Sequence, residues 1–303
     1  MNFNQLEVTD YEILKGYFLG LPYNLSVYSI ASIIAWGNQL FKTSFHLQSG
    51  VCFIANEQEK ERDSRHLILP VSGQTKFSPA ELYRYARNLD YERYWFAPGD
   101  YLGFFNQSEW ENYFTIIEQK EFEDYVYRTE DMIELKGNRY SKKRNLLSQF
   151  KRNYLFYNRV SVELIRQENV EDCEKFLDIW CEEHACGEEE QASLACERSA
   201  LITTLNHLER LESMGILVRI DGVVSALGIG SRLNETTATL NFEKAFVGIK
   251  GLYQFLDNEC AKRLFSSYRF INKESDMNLP QLAEAKQSYY PIERIKSFEL
   301  VLR

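Results

Sequence analysis

Residues 216–246 read ILVRIDGVVSALGIGSRLNETTATLNFEKAF, and three strands can be cut from them. Residues 216–220 and 223–229 are apolar runs rich in β-branched side chains. Asp221-Gly222 stands between them, a dipeptide suited to a two-residue hairpin turn because both positions need positive φ. A turn at Asn234 brings the chain back into residues 236–246. The stretch is an antiparallel meander, and the second half of the chain is read outward from it.

Upstream, residues 160–166 alternate as a strand, and Asn169 opens a helix carrying Cys173, Phe176, Leu177 and Trp180. A second helix is expected over 191–213, with Gly215 as its stop. Downstream, Gly248-Ile249-Lys250-Gly251 leads into a helix with Leu252, Phe255, Leu256 and Cys260 on one face. A strand at 268–272, a short helix at 279–286 and a last strand at 298–302 complete the order β, α, α, β, β, β, α, β, α, β. That order resembles the GNAT acyltransferase fold.

The first half is also mixed α/β. Helices are expected at 9–19 and 25–36, and a hairpin at 43–47 and 51–55 around Ser49-Gly50. Residues 56–65, NEQEKERDSR, read as a charged loop, followed by a strand at 67–71. Ser78-Pro79-Ala80-Glu81 is a capping box with proline at the first helical position. A strand at 94–97 ends at Pro98-Gly99-Asp100, and 109–135 holds strand-like aromatic material and an acidic bend at Thr129-Glu130-Asp131. The fold class expected is α/β with mixed sheets, as two tandem GNAT-like domains over 1–135 and 155–303.

The segment between them, 136–154, reads KGNRYSKKRNLLSQFKRNY and holds seven basic residues and no acidic one. The whole chain is acidic, with 44 Asp+Glu against 35 Lys+Arg and a net charge of −9, so the segment concentrates a fifth of its cations. Leu146, Leu147, Phe150 and Tyr154 share one helical face. Arg139 and Lys143 fall on that side, while Arg144, Lys151 and Arg152 fall away from it. The segment reads either as a surface helix with snorkelling side chains or as one wall of a cleft for an anionic group.

The net charge counts against a general nucleic-acid coat. No apolar run approaches the ~20 residues of a bilayer span. The N-terminus, MNFNQLEVTDYEILK, has no basic then apolar leader pattern, so a cytoplasmic location with reduced cysteines is expected. Cys181 and His184 stand three apart, with Cys186 and Cys196 beyond, but the spacing matches no paired C-x-x-C site. Packed thiols are the preferred reading and no metal site is expected. No Ser/His/Asp series, Gly-x-Ser-x-Gly or His-Glu-x-x-His supports a hydrolase or zinc protease.

Three clusters could carry chemistry. On the strand Asn241-Phe-Glu-Lys-Ala245, Asn241 and Glu243 should face one way and Lys244 the other, with Glu243 a general base or half of an ion pair. Gly248, Lys250 and Gly251 precede a helix N-terminus and suit an anion. Asn272, Glu274 and Asp276 follow a strand, and Lys286 and Tyr289 follow a helix. These places suit ligand contacts, or a loop held by Asx turns.

The segments GNRYSKKRNLLSQF, NFEKA, IKG and INKESDMNLPQLAEAKQSYYP, in that order, resemble bacterial domains related to the C-terminal domain of phosphatidylglycerol lysyltransferase. The resemblance implies tandem GNAT-like domains, as in peptidoglycan-bridge aminoacyl transferases, and transfer of an acyl or aminoacyl group to an amine or hydroxyl. The donor would be aminoacyl-tRNA or acyl-CoA, so tRNA is an expected partner, and no further cofactor is required. The GNAT pyrophosphate pattern Gln/Arg-x-x-Gly-x-Gly/Ala is broken here, with Ala245 and Lys250 at its outer positions. Lys143, Arg144 and Lys250 would bind phosphate, Glu243 would deprotonate the nucleophile, and Tyr289 would assist the leaving group. The alternative is a non-catalytic protein of this fold that holds an anionic metabolite or RNA.

Overall fold

The computed structural model describes residues 3–21, 23–37, 41–58, 61–73, 75–183 and 192–303, the side chains of 41, 58, 61–64 and 192–196 excepted. In the first half, β1 (Asn4–Gln5) precedes helices α1 (Tyr11–Phe18) and α2 (Ile30–Trp36). Strands β2 (Phe41–Gln48), β3 (Val51–Gln58) and β4 (Glu61–Leu67) follow, then α3 (Pro79–Leu89) and β5 (Arg93–Pro98). Short helices α4 (Gly99–Leu102) and α5 (Gln107–Glu111) lead to β6 (Phe114–Glu118), β7 (Asp124–Arg128) and α6 (Thr129–Glu134).

The basic segment forms α7 (Ser141–Asn153). The second half then runs β8 (Val160–Leu164), α8 (Val170–Glu183), α9 (Ala192–Asn206), β9 (Met214–Ile220), β10 (Val223–Arg232), β11 (Thr237–Ala245) and α10 (Leu252–Arg263). It ends with β12 (Phe270–Asn272), α11 (Pro280–Gln287), β13 (Glu293–Ile295) and β14 (Ser297–Leu302).

These strands build two seven-stranded mixed sheets, ordered β1-β2-β3-β4-β5-β14-β6 and β13-β7-β12-β11-β10-β9-β8. Each holds one parallel pair, β4–β5 and β11–β12, among antiparallel neighbours. The two orders match position by position, as expected of two GNAT-like halves. Each sheet, however, takes one strand from the other half. β14, the last strand, lies between β5 and β6, and β7 lies between β12 and β13. A division at residue 135 therefore does not follow the sheets. Both exchanged strands are short, of five and six residues, and nothing in their letters says which sheet they join.

The hairpins at β2–β3 and β9–β10 form as expected, as does the capping box of α3, where Ser78 N donates to Glu81 Oε2 at 2.8 Å. Other readings change. The strand expected at 67–71 ends at Leu67, and short helices α4 and α5 were not expected. Much of the described part of residues 56–65 is strand, because β3 and β4 pair antiparallel, with Asn56 opposite His66 and Gln58 opposite Glu61. The acidic bend at 129–131 is the first turn of α6, where carboxylates suit the helix N-terminus. Gly215 lies inside β9 and does not stop a helix: a Cβ there would stand 2.8 Å from Ile165 Cδ1. β13 has no counterpart in the reading of the letters.

In the second half, α10 packs on one face of the sheet with α6 and α7, and Leu252, Leu256 and Cys260 lie in that core. α8 and α9 cover the other face through Phe176, Leu177, Leu201 and Leu205, and α2 of the first half packs beside them. With both faces covered, β10 is buried from Val224 to Ser231, so its letters run apolar without alternation.

Candidate functional site

The parallel pair β11–β12 is short. Its register runs from Thr237 opposite Phe270 to Thr239 opposite Asn272, and beyond that point the strands part. β11 also carries a bulge. Ile229 of β10 faces Phe242 and Gly230 faces Leu240, which leaves Asn241 as the extra residue. A bulge re-aims side chains beside it. Phe242 packs with the α8–α9 side, whereas Leu240 and Ala245 pack with the α10 side. Glu243 and Lys244 thus face opposite ways, as the alternation predicts. The wedge at the C-terminal ends of a parallel pair is where open α/β sheets gather ligands.

Five side chains meet in this wedge. Lys273 Nζ lies 2.9 Å from Glu243 Oε2 and also bonds Asp257 Oδ1 of α10. Burial opposes the lysine's charge, but Asp257 and Glu243 outweigh it and hold the ammonium above its ordinary range. Glu243 behaves differently. Burial, with Asp257 adding to it, pushes its carboxyl up to about 7 against the pull of Lys273. Its Oε1 is buried and has no hydrogen-bond partner among the described residues.

Lys143 enters from α7, its Nζ 3.8 Å from the centroid of the Tyr289 ring. Burial lowers it to about 8, although the Asp257 charge works the other way. Among the described residues no carboxylate stands within 4.0 Å of its ammonium. Tyr289 is buried with its hydroxyl facing Asp257, and among the described residues it makes no hydrogen bond of full geometry. Burial and the two nearby carboxylates push that hydroxyl well above its ordinary range, so it stays protonated.

A second, fully connected network borders the wedge and joins the two halves. Asn241 Nδ2 donates to Glu274 Oε1 at 3.1 Å and to Ser32 Oγ of α2 at 3.2 Å. Its Oδ1 accepts from Ser231, whose hydroxyl also meets that of Ser29, the N-cap of α2. Asn272 is completely buried; its Nδ2 donates to Asp124 Oδ2 at 2.8 Å, and its Oδ1 accepts from Glu274 N. Burial pushes Glu274 up to about 8, against the neighbouring Lys286. Lys286 Nζ donates to the carbonyls of Lys273, Glu274 and Ser275, which pins the loop after β12. Asp276 holds the same loop, accepting from Tyr125 OH at 2.5 Å and from Asn278 N.

The remaining expected residues lie elsewhere or hold structure. Arg139 pairs with Asp131 at 3.1 Å and sits over the rings of Tyr140 and Tyr290, in the exposed turn before α7. Arg144 donates to the carbonyls of Leu135 and Gly137, which ties down the turn before the helix. Lys244 pairs with Glu197 at 2.6 Å on the opposite face of β11. Gly248 and Lys250 are exposed. Gly251, with φ +85°, is the N-cap of α10 and packs on α7: a Cβ there would stand 2.3 Å from Leu146 O. Its missing side chain serves helix packing, and the neighbouring carbonyl is an acceptor where a pyrophosphate would need donors.

Asp257 and Lys273 were not singled out from the letters, although they complete the charged group. Lys273 sits inside the quoted run Asn272–Asp276 and Asp257 beside an apolar helical stripe, so each had a weak signal. The Cys181/His184/Cys186/Cys196 group, read as packed thiols, cannot be placed, because His184, Cys186 and the Cys196 side chain lie outside the described residues. Cys181 is half-buried. No helix among the described residues is long and apolar enough to cross a membrane.

Among solved structures, a conserved protein of unknown function from Bacteroides thetaiotaomicron matches over 100% of both chains, with a TM-score of 0.88 and 22% identity. The C-terminal domain of a candidate lysylphosphatidylglycerol synthetase from Agrobacterium fabrum matches over 96% of this chain and 91% of its own, with a TM-score of 0.63 and 13% identity. These likenesses establish the fold. No functionally curated protein matches the chain by sequence. The family model for the C-terminal region of phosphatidylglycerol lysyltransferase matches residues 100–300, and the chain belongs to that family.

Proposed function

We propose that the protein transfers an acyl or aminoacyl group from an activated ester to an amine or hydroxyl acceptor, with Glu243 as the general base. The observation that carries this reading is the Glu243 carboxyl. It is buried at the parting of β11 and β12, ionises near neutrality, and has one oxygen without a partner among the described residues. A carboxyl so placed takes a proton from an attacking nucleophile most effectively near its own pKa.

In this reading the acceptor gives its proton to Glu243 Oε1 as it attacks the donor carbonyl carbon. Negative charge then develops on the carbonyl oxygen, and the acyl–oxygen bond breaks as the tetrahedral species collapses. Lys143, with no ion pair among the described residues, faces that charge as an ammonium, and the Tyr289 O–H donates a hydrogen bond to the departing oxygen, which takes up the proton held by Glu243 and leaves the carboxylate ionised. Lys273 and Asp257 fix the Glu243 rotamer. Asn241, Asn272, Glu274, Asp276 and Lys286 shape the wall against which the acceptor is held. The packing of Gly251 on Leu146 O favours an aminoacyl ester, as in aminoacyl-tRNA, over acyl-CoA. Membership of the lysyltransferase family points the same way.

The test is donor consumption. Purified protein is incubated with radiolabelled aminoacyl-tRNAs and with acyl-CoA thioesters, each with a pool of amine and hydroxyl acceptors. A labelled product separate from the donor is expected, formed at least 100-fold more slowly by Glu243→Gln. If no donor class is consumed above its spontaneous hydrolysis, or Glu243→Gln works as fast as wild type, the proposal fails.

A further inference from the structure

The chain just past α7 has no role in this chemistry. Residues 151–159 read KRNYLFYNR. α7 ends at Asn153, and the backbone makes one tight turn over Leu155–Tyr157, closed by Asn158 at φ 55°. Its base is anchored. Tyr154 stacks on Phe150 at 5.2 Å, and Arg159 N donates to Tyr154 O. Its tip is not covered. Phe156 is 79% exposed, Tyr157 66% and Leu155 38%. Asp221 N donates to Arg159 O at 2.8 Å, which places the β9–β10 hairpin tip alongside, and Val223 on that tip is 59% exposed. Four large apolar side chains thus project from two adjoining turns.

The charge around them has one sign. Arg159 is neutralised by Asp221. Lys151 and Arg152, one turn back on α7, have no carboxylate within 4.0 Å among the described residues, and Lys142 on the same helix has none either. This occurs on a chain whose net charge is −9.

We propose that this turn docks the protein on an anionic lipid bilayer surface. Leu155, Phe156, Tyr157 and Val223 would enter the headgroup–acyl boundary, and Lys151 and Arg152 would meet lipid phosphates. Convex apolar tips flanked by cations gain from both terms at such a surface, and neither term suffices alone. Single-stranded RNA fits the same residues less well. The Phe156 and Tyr157 rings meet edge to face at 88°, so they cannot carry successive stacked bases, and Leu155 has no ring to offer. The tip lies beyond the C-terminal end of α7, itself about 15 Å along the helix from Lys143 at 1.5 Å per residue. Docking is therefore separate from the transfer site and does not depend on its chemistry.

The test uses the full chain in co-sedimentation with vesicles of neutral phosphatidylcholine, or of phosphatidylcholine and phosphatidylserine at about 3:1. Binding is expected to the anionic vesicles only and to weaken as salt rises. Phe156→Ser/Tyr157→Ser and Lys151→Glu/Arg152→Glu should each weaken it at least tenfold with unchanged circular dichroism and melting. Lys143→Met, inside the wedge, should bind as wild type does. Equal sedimentation with neutral and anionic vesicles, or wild-type binding by the Phe156/Tyr157 variant, would overturn the proposal. So would a Phe156/Tyr157 variant that loses tRNA binding or self-association while vesicle binding persists.

Discussion

Glu243 and Lys143 titrate from opposite directions into the same narrow window. Burial lifts the carboxyl to about 7 and lowers the ammonium to about 8, because each charged form loses water that its neighbours replace only in part. If Glu243 is the base, it works only when ionised, so kcat/KM should rise with pH through about 7. If Lys143 holds the developing negative charge, it does so only when protonated, so kcat/KM should fall through about 8. The expected profile is a narrow bell whose limbs belong to the coupled group. Lys143→Arg, which keeps its charge to higher pH, should lift the alkaline limb by two units or more and leave the acid limb in place. An alkaline limb that stays near 8 in that variant would remove Lys143 from the reaction. Glu243 and Tyr289 were legible in the sequence as polar residues at element ends. Asp257 was not, because a buried aspartate beside Leu256 reads like any exposed residue flanking an apolar stripe.

At the scale of elements, the loop between β11 and α10 shows how one letter serves two different ends. Gly248-Ile249-Lys250-Gly251 reads as an anion cradle, yet Gly251 seats α10 against the backbone of α7. A methyl group there meets Leu146 O at 2.3 Å and also has to adopt φ +85°. Gly222 in the β9–β10 turn has the same φ of +85° and open space around it. Gly222→Ala should therefore cost about 1 kcal/mol, the left-handed strain alone. Gly251→Ala should cost about 3 kcal/mol or more, because strain and overpacking add. Urea unfolding measures both, and equal costs would mean that α7 moves aside freely. Hairpins, caps and the helix order of the second half were legible because turn chemistry is local. The bulge at Asn241 was not, since only the register against β10 defines it.

For the whole molecule, the exchanged strands decide how it unfolds. β14 pairs with β5 on one side and β6 on the other, so the first sheet cannot close without the last residues of the chain. β7 pairs with β12 and β13 in the same way, and Asp124 at its start accepts from Ser26 of the first half and Asn272 of the second. Two tandem domains joined by a helix would come apart independently, whereas halves that each hold a strand of the other lose both cores together. The tryptophans allow a direct check, since Trp36, Trp95 and Trp110 lie in the first half and Trp180 in the second. In urea, wild-type fluorescence, far-ultraviolet circular dichroism and the fluorescence of a Trp36→Phe/Trp95→Phe/Trp110→Phe variant should each trace one transition. Within each protein, fluorescence and circular dichroism midpoints should coincide. If Trp180 reports a midpoint apart from the dichroism of that same variant, the halves are energetically separate despite the exchange. Removal of residues 297–303 sharpens the test, because it takes a strand from the interior of a sheet and leaves β5 and β6 with bare edges. The truncated chain should lose cooperative unfolding in the second half as well as the first, an effect that a simple pair of linked domains does not produce.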